Sequence, residues 1–478
     1  VILSSRAAMG HWCSTMEASA EWASAEWARP FQEIAERFNS LNAKGQEEVF
    51  GQLRKLTPTQ ARAAKHAKRA QEAVAAAAEA IPLEKRPEGP TRTVMIGDPY
   101  TCPEEERHTQ WDIYGGRTVY DLLAHTALID IEYIITLIEA GGVLPRAQEV
   151  PRAARITQDE AWRLRTWPQA SSLAVLVLSY PWLDWWHPDR QGLQLRKLLP
   201  ILRLMLEAAR SEGASHGTVG VMIDYACLPQ KPFASDAEKA AFSISLRAIN
   251  EWYSHPYTVV LVMDTSLPVE AQWTNERLHK ERGWCFFEVR AASVVKHRHA
   301  LWSLSRFDGA STYGIHGDNK GTGHDTVLAQ LPAGREPPLS PDTFCEAMER
   351  MVNDGRLAFT SNADMMVVVE QYRRGFVGAF EAKGRLAEPY VSAMGAPGNC
   401  DEVFFHDLGW GDVEGEVVIE ALRYAAQHCV ITAPVDVNML RSPFSEDMIA
   451  KLIGLNDEFE RHPDRGHVGN KRIRVSNR

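Results

Sequence analysis

One carboxylate in this chain sits inside an aromatic cluster. The stretch "RGWCFFEVR" (282–290) surrounds Glu288 with Trp284, Cys285, Phe286 and Phe287, and flanks them with Arg282 and Arg290. Carboxylates are rarely fully buried without a partner. Three roles are therefore open to Glu288: a helix surface charge, a buried partner of one of the arginines, or a reactive group. Other polar residues stand directly behind apolar runs. Ser179, Tyr180, Trp182, Asp184, Trp185, Trp186 and His187 follow "LAVLVL"; Asp224, Tyr225, Cys227 and Gln230 follow "TVGVMI"; Asp264, Thr265 and Ser266 follow "YTVVLVM". Aromatics, a few acids and an amide suit an uncharged or weakly charged ring-bearing ligand better than a bare phosphate.

Each of these residues also has an ordinary structural role. The tryptophans cap a sheet or fill an interface as readily as they stack on a ligand. Asp224 serves equally as a helix cap or a salt-bridge partner. Cys227 and Cys285 read as small buried hydrophobes, because no general base has the required placement in sequence. Glu288 near a helix start is electrostatically favourable whatever else it does. A metal-assisted hydrolase using Asp224 with Asp264 is a third option, but no ligand-spaced histidine cluster supports it and no metal site is expected.

The elements that position these residues are readable. "SSLAVLVLSYPWL" (171–183), "TVGVMIDYACLP" (218–229) and "YTVVLVMDTSLP" (257–268) are apolar runs of strand length, as for strands buried on both faces. Between them, "GLQLRKLLPILRLMLEAARSEG" and "DAEKAAFSISLRAINEWYSHP" carry apolar residues at helical spacing, with Pro200 inside the first. "RGWCFFEVRAA" opens a third helix. The alternation predicts an α/β fold with a parallel, doubly wound sheet. In such sheets ligands bind beyond the carboxyl ends of the strands.

Around this core the chain divides into a helical accessory region (1–90), a mixed, mainly helical segment (91–167), the α/β domain (168–305) and a mainly helical C-terminal region (306–478). "TVYDLLAHTALIDIEYIITLIEAGGVLP" (118–145) reads as one long helix with His125 packed inside it. "DLGWGDVEGEVVIEALRYAAQHCVIT" faintly resembles a single leucine-rich repeat unit. Two helices joined by a turn are expected over "LSPDTFCEAMERMVNDGRLAFTSNADMMVVVEQYRRGFVGAFE".

Composition narrows the classes. Of the 478 residues, 45% are apolar and 24% charged, enough apolar material for sizeable cores. A formal net charge of −10 lowers the prior for a nucleic-acid binder. The seven cysteines are scattered with no CxxC pair, so a disulfide framework and a zinc module are both unsupported. No apolar run reaches the roughly 20 residues needed to cross a bilayer. A cytoplasmic protein that binds neither nucleic acid nor membrane is the expectation.

The four pieces at the sheet resemble TIR domains and the TIR-like fungal heterokaryon-incompatibility (HET) domains. "SSLAVLVLSYPWL" is similar to the TIR opening strand with its trailing Ser. "GVMIDYACLPQ" resembles the HET stretch in which an Asp closes the second strand. "LRAINEWYSHPYTVVLVMDTSLP" is similar to the helix leading into a strand that ends in Ser. "RGWCFFEVRAA" resembles the TIR "WC..E" motif and its HET counterpart. The resemblance covers 168–305 and implies a flavodoxin-like sheet. It implies an intracellular signalling or immunity-type protein that self-associates through this domain. The alternative it implies is an NAD⁺ nucleosidase with Glu288 as catalytic carboxylate and Ser179, Trp182, Asp224 and Trp284 binding substrate. NAD then enters as a small-molecule substrate, and no cofactor is expected. Breaking the N-glycosidic bond passes through an oxocarbenium-like centre that one carboxylate can stabilise. The chain departs from TIR domains in a longer insert, "DTSLPVEAQWTNERLHKE" (264–281), which would cover or occlude a pocket, and in a first loop without the usual small and basic residues.

Overall fold

The computed structural model describes residues 116–164, 166–167, 172–211, 218–307, 331, 333–361, 363–386, 402–405, 408–430, 435–439, 441–461 and 473–476. The accessory region 1–90 and the glycine-rich stretch after Phe307 lie outside the described residues. From the N-terminal side the elements are α1 (Gly116–Leu122), β1 (Leu128–Asp130), α2 (Ile131–Glu139), β2 (Arg155–Ile156) and a two-stranded pair, β3 (Thr166–Trp167) and β4 (Ser172–Leu173). The central part runs β5 (Val175–Ser179), α3 (Leu193–Ser211), β6 (Gly220–Met222), α4 (Asp224–Cys227), α5 (Asp236–Arg247), α6 (Ile249–Ser254), β7 (Val259–Val262), α7 (Gly283–Ala292) and β8 (Leu301–Ser303).

These form a mixed, mostly parallel six-stranded sheet in the order β2-β1-β6-β5-β7-β8. β6, β5, β7 and β8 are parallel, and β1 and β2 add antiparallel at one edge. The α/β reading of the sequence therefore holds for the core. β5 and β7 are buried at every residue, which is why their sequences run apolar without alternation. From β5 the chain crosses first to β6 on one side and then to β7 on the other. The carboxyl ends of β5 and β7 thus flank the point where the winding reverses, the place where α/β sheets leave a crevice.

Two helix expectations are corrected. The stretch 118–145 is not one helix: α1 and α2 are separated by β1, and His125 lies exposed in the turn between them. Leu128 pairs with Ile156, Ile129 with Val221, and Asp130 then caps α2 by accepting from Glu132 N–H at 3.0 Å. A helix continued through this point would forfeit those ladder bonds and the cap. The second crossover is likewise two helices, α5 and α6, broken at Ala248.

The C-terminal part holds α8 (Pro341–Asn353) and α9 (Asp364–Leu386), the expected helix pair, with Ser340 capping α8 and Pro341 at its first position. Beyond them the expected mainly helical region also contains a second parallel sheet. β9 (Glu402–Phe404), α10 (Asp412–His428), β10 (Val435–Asn438), α11 (Glu446–Arg461) and β11 (Ile473–Ser476) form a βαβαβ unit in the order β11-β10-β9. Arg335 joins this part to the core. Its guanidinium donates to the Ser293 and Val294 carbonyls at 2.9–3.0 Å and lies over the rings of Phe405 and Trp410.

Lys296 closes the opposite end of the large sheet. It is fully buried, and its ammonium donates to the His255 carbonyl, to the Thr258 carbonyl at 2.6 Å and to Thr258 Oγ1 at 3.0 Å. Removing it leaves buried carbonyls unpaired, at about 1–3 kcal/mol each. Lys296→Met is therefore expected to lower the unfolding midpoint in urea by an amount worth about 2 kcal/mol or more, read by chemical denaturation.

Candidate functional site

α7 begins where it does because the chain is pinned at Gly283. A Cβ there would meet the Phe359 ring at 2.2 Å, and its N–H donates to the Ala358 carbonyl at 2.9 Å. From this start Cys285 and Glu288 turn toward the end of β5, while Phe287 enters the core. Glu288 lies in the second turn of α7, past the reach of the favourable helix-terminus field, which fades within the first turn. That electrostatic reason for a carboxylate here therefore falls away.

Glu288 is 7% exposed and pairs with neither flanking arginine. Arg290 turns outward to Glu336 and stacks on Phe286. Arg282 is buried and spends its guanidinium on backbone carbonyls: Trp182, Asn275 at 3.0 Å and Arg277 at 2.6 Å. The polar partner of Glu288 is instead a hydroxyl. Ser179 Oγ lies 2.5 Å from Glu288 Oε2, and the Tyr253 hydroxyl, near the carboxyl, donates to the Leu178 carbonyl at 3.1 Å. Burial pushes the Glu288 carboxyl up to about 8, and the nearby Asp224 adds to the rise. The Ser179 hydrogen bond opposes it.

A histidine that the sequence reading left unremarked completes the cluster. His279, in a short 3-10 turn at the end of the insert, places Nε2 2.7 Å from Ser179 Oγ. Burial pushes this imidazole down to about 4, so it is neutral at physiological pH. Ser179 has one proton and two partners. With Glu288 ionised, Oγ donates to the carboxylate and accepts from Nε2–H. With Glu288 protonated the chain can run the other way, from carboxyl to hydroxyl to an unprotonated Nε2. The order is not that of a serine nucleophile, in which the histidine stands between hydroxyl and acid. Cys285 lies beside them, its thiol pushed well up by burial and by Glu288, so it too is no nucleophile. The same applies to Cys227, pushed up to about 12 by burial.

The other residues singled out by sequence fall into pairs. Trp182, half-buried, donates its indole N–H to Asp224 Oδ2 at 3.0 Å and packs edge-on against Tyr225. Asp224 also accepts from Tyr225 N–H at 2.6 Å, and burial pushes its carboxyl up to about 6 against those two bonds. Trp284 points its indole N–H at Asp364 at 3.2 Å, on the α9 side. Asp264 is engaged with Ser303 Oγ at 2.6 Å and with Ser305, across the ends of β7 and β8. Ser179 and Glu288 are thus joined directly, Asp224 acts on Glu288 through its charge, and Trp284 and Asp264 serve other contacts.

The insert covers this cluster. Asn275 N–H donates to the Leu183 carbonyl at 3.0 Å, Thr274 N–H to the buried Asp184 at 3.1 Å, and Trp185 N–H to Thr274 Oγ1 at 3.1 Å. Arg190 donates to the Gln272 carbonyl at 2.6 Å and lies over Trp273. Arg282 ties the same two loops from beneath. A lysine cannot reproduce its fork. Arg282→Lys is therefore expected to speed proteolytic cleavage within 264–281 at least severalfold while leaving the core fold intact by circular dichroism. Comparison of the chain with family models, with curated proteins and with solved structures finds no match.

Proposed function

We propose that this chain carries a TIR/HET-like, flavodoxin-type domain that cleaves the N-glycosidic bond of a cationic nucleotide, with NAD⁺ as the substrate and Glu288 as the catalytic carboxylate. The observation that carries the reading is a buried carboxylate with no cationic partner, its pKa raised, at the carboxyl edge of the sheet where the winding reverses. Strongly shifted acids of that kind concentrate at functional sites. A pyridinium ring brought to Glu288 supplies the missing positive charge and favours the ionised carboxylate. The bond from ribose carbon to pyridinium nitrogen then breaks, its electron pair neutralising the ring. Glu288 stabilises the cationic sugar until water adds and gives up a proton. Ser179 and His279 orient the carboxylate and offer a path for its proton. Trp182, fixed by Asp224, supplies an aromatic wall. Substrate entry requires the 264–281 insert to lift.

The test is release of nicotinamide from NAD⁺ by the purified full chain, compared with Glu288→Gln. Equal release from both, or none from either in monomeric and assembled protein, removes the reading. A second reading, homotypic assembly for signalling, is favoured by Trp185 and Trp186, which are 46% and 38% exposed on the first loop. Light scattering that shows a concentration-dependent oligomer lost in Trp185→Ala/Trp186→Ala would support it. A monomer at all concentrations would sink it.

A further inference from the structure

Three unlike donor atoms converge beneath the insert. Cys285 and Glu288 are three residues apart on α7, so both side chains leave one face of the helix. His279 meets that face from the turn just before α7. The donor atoms of His279, Cys285 and Glu288 all lie within 4.8 Å of one another, and all three residues are buried. The Arg282 guanidinium is committed to backbone carbonyls, and its charge favours the Cys285 thiolate. A nitrogen, a thiol sulfur and a carboxylate oxygen form a donor set suited to tetrahedral zinc, with a fourth position left for water. Drawing the donors onto bonds of about 2.0–2.3 Å needs an inward movement of only about 1 Å.

The donors are also oriented in advance. Ser179 Oγ sits 2.7 Å from His279 Nε2 and 2.5 Å from Glu288 Oε2, so one hydroxyl ties the imidazole to the carboxyl. A partner on the ring nitrogen that does not ligate fixes the ring, and where Nε2 itself ligates, the cation takes the place of the Ser179 hydrogen bond. The groups facing the cluster are then Ser179 from β5, Tyr253 from α6, Asp224 from α4, Asp264 behind β7 and Arg282 at the start of α7.

We propose that His279, Cys285 and Glu288 form a binding site for a thiophilic divalent cation, Zn²⁺, and that the occupied site holds the insert shut and withdraws Glu288 from catalysis. The inhibitory half rests on the nucleosidase reading; the metal site does not. Binding breaks the Cys285 S–H bond and forms a zinc–sulfur bond, with the proton passing to solvent. Any proton on the Glu288 carboxyl leaves the same way. Affinity therefore rises with pH, by roughly tenfold per unit for each proton displaced.

The experiment uses the full chain, stripped with chelator and dialysed against Zn²⁺ alone. Wild type is expected to hold one equivalent more than Cys285→Ser. Co²⁺ in place of zinc should give a thiolate-to-cobalt charge-transfer absorption that Cys285→Ser lacks, and His279→Asn should weaken uptake at least tenfold. Circular dichroism and melting in chelator confirm that both variants fold. Wild type holding no more zinc than Cys285→Ser, or a cobalt band that survives that substitution, overturns the site. Added zinc should lower nicotinamide release to the Glu288→Gln level, and chelator should restore it. Zinc uptake without any cleavage of NAD⁺ leaves the site standing and removes only the nucleosidase; cleavage unaffected by bound zinc overturns the inhibitory half.

Discussion

Glu288→Gln is expected to stabilise the folded chain at pH 7 by as much as about 3 kcal/mol, although it removes a group at the centre of the site. In the unfolded chain this carboxyl titrates at its ordinary value of 4.5, and in the folded chain at about 8. Between those values the folded state binds the extra proton. Stability therefore falls as pH rises from 4.5 to 8 and levels off above. At about 1.4 kcal/mol per pH unit, pH 7 lies far enough into that window to cost roughly 3 kcal/mol as an upper bound. Glutamine keeps a carbonyl for the Ser179 hydroxyl, and it never ionises. The variant should match wild type below pH 4.5 and gain on it steadily to pH 8, in urea denaturation with chelator present. A flat difference across that range would mean that Glu288 is compensated in the folded state and would take away the main support for a functional role.

The part of this site legible in sequence is the part carried by long apolar runs. β5, β6 and β7 are buried on both faces, so their runs mark strand ends and place Ser179 and Asp224 at one edge of the sheet. "WC..E" set Glu288 on a helix facing that edge, and its two arginines suggested ion pairs that the fold uses elsewhere. His279 carried no such signal. It sits in an insert without periodicity, and only the bonds from 272–275 to the first loop bring it to Ser179. Tyr253 read simply as one apolar position of a helix face, yet its hydroxyl donates to Leu178 and lies near Glu288. The three-residue strands β1 and β9 are too short to show a period of two, so β1 reads as part of a helix and the second sheet carries no sequence signal. Packing against neighbours far away in sequence decides such elements.

The same substitution that stabilises the fold should abolish the chemistry. Release of nicotinamide by Glu288→Gln is expected to fall at least about 10³-fold in kcat, the scale at which loss of one group opposed to transition-state charge acts. Glutamine fills the same space and keeps the hydrogen bond from Ser179, so binding of NAD⁺ should change far less than turnover. That split separates a catalytic carboxylate from a merely structural one. In wild type, kcat/KM should climb about tenfold per pH unit toward pH 8, because only the ionised fraction of Glu288 in the free protein can act and that fraction is about a tenth at pH 7. Ser179→Ala should move this profile upward in pH, since the hydroxyl's hydrogen bond favours the ionised carboxylate. His279→Asn tests the other end of the relay, leaving Ser179 in place while removing the imidazole that fixes its rotamer. A Glu288→Gln chain that retains turnover, or a wild-type profile flat from pH 6 to 8, would show that the buried carboxylate holds the lid and does no chemistry.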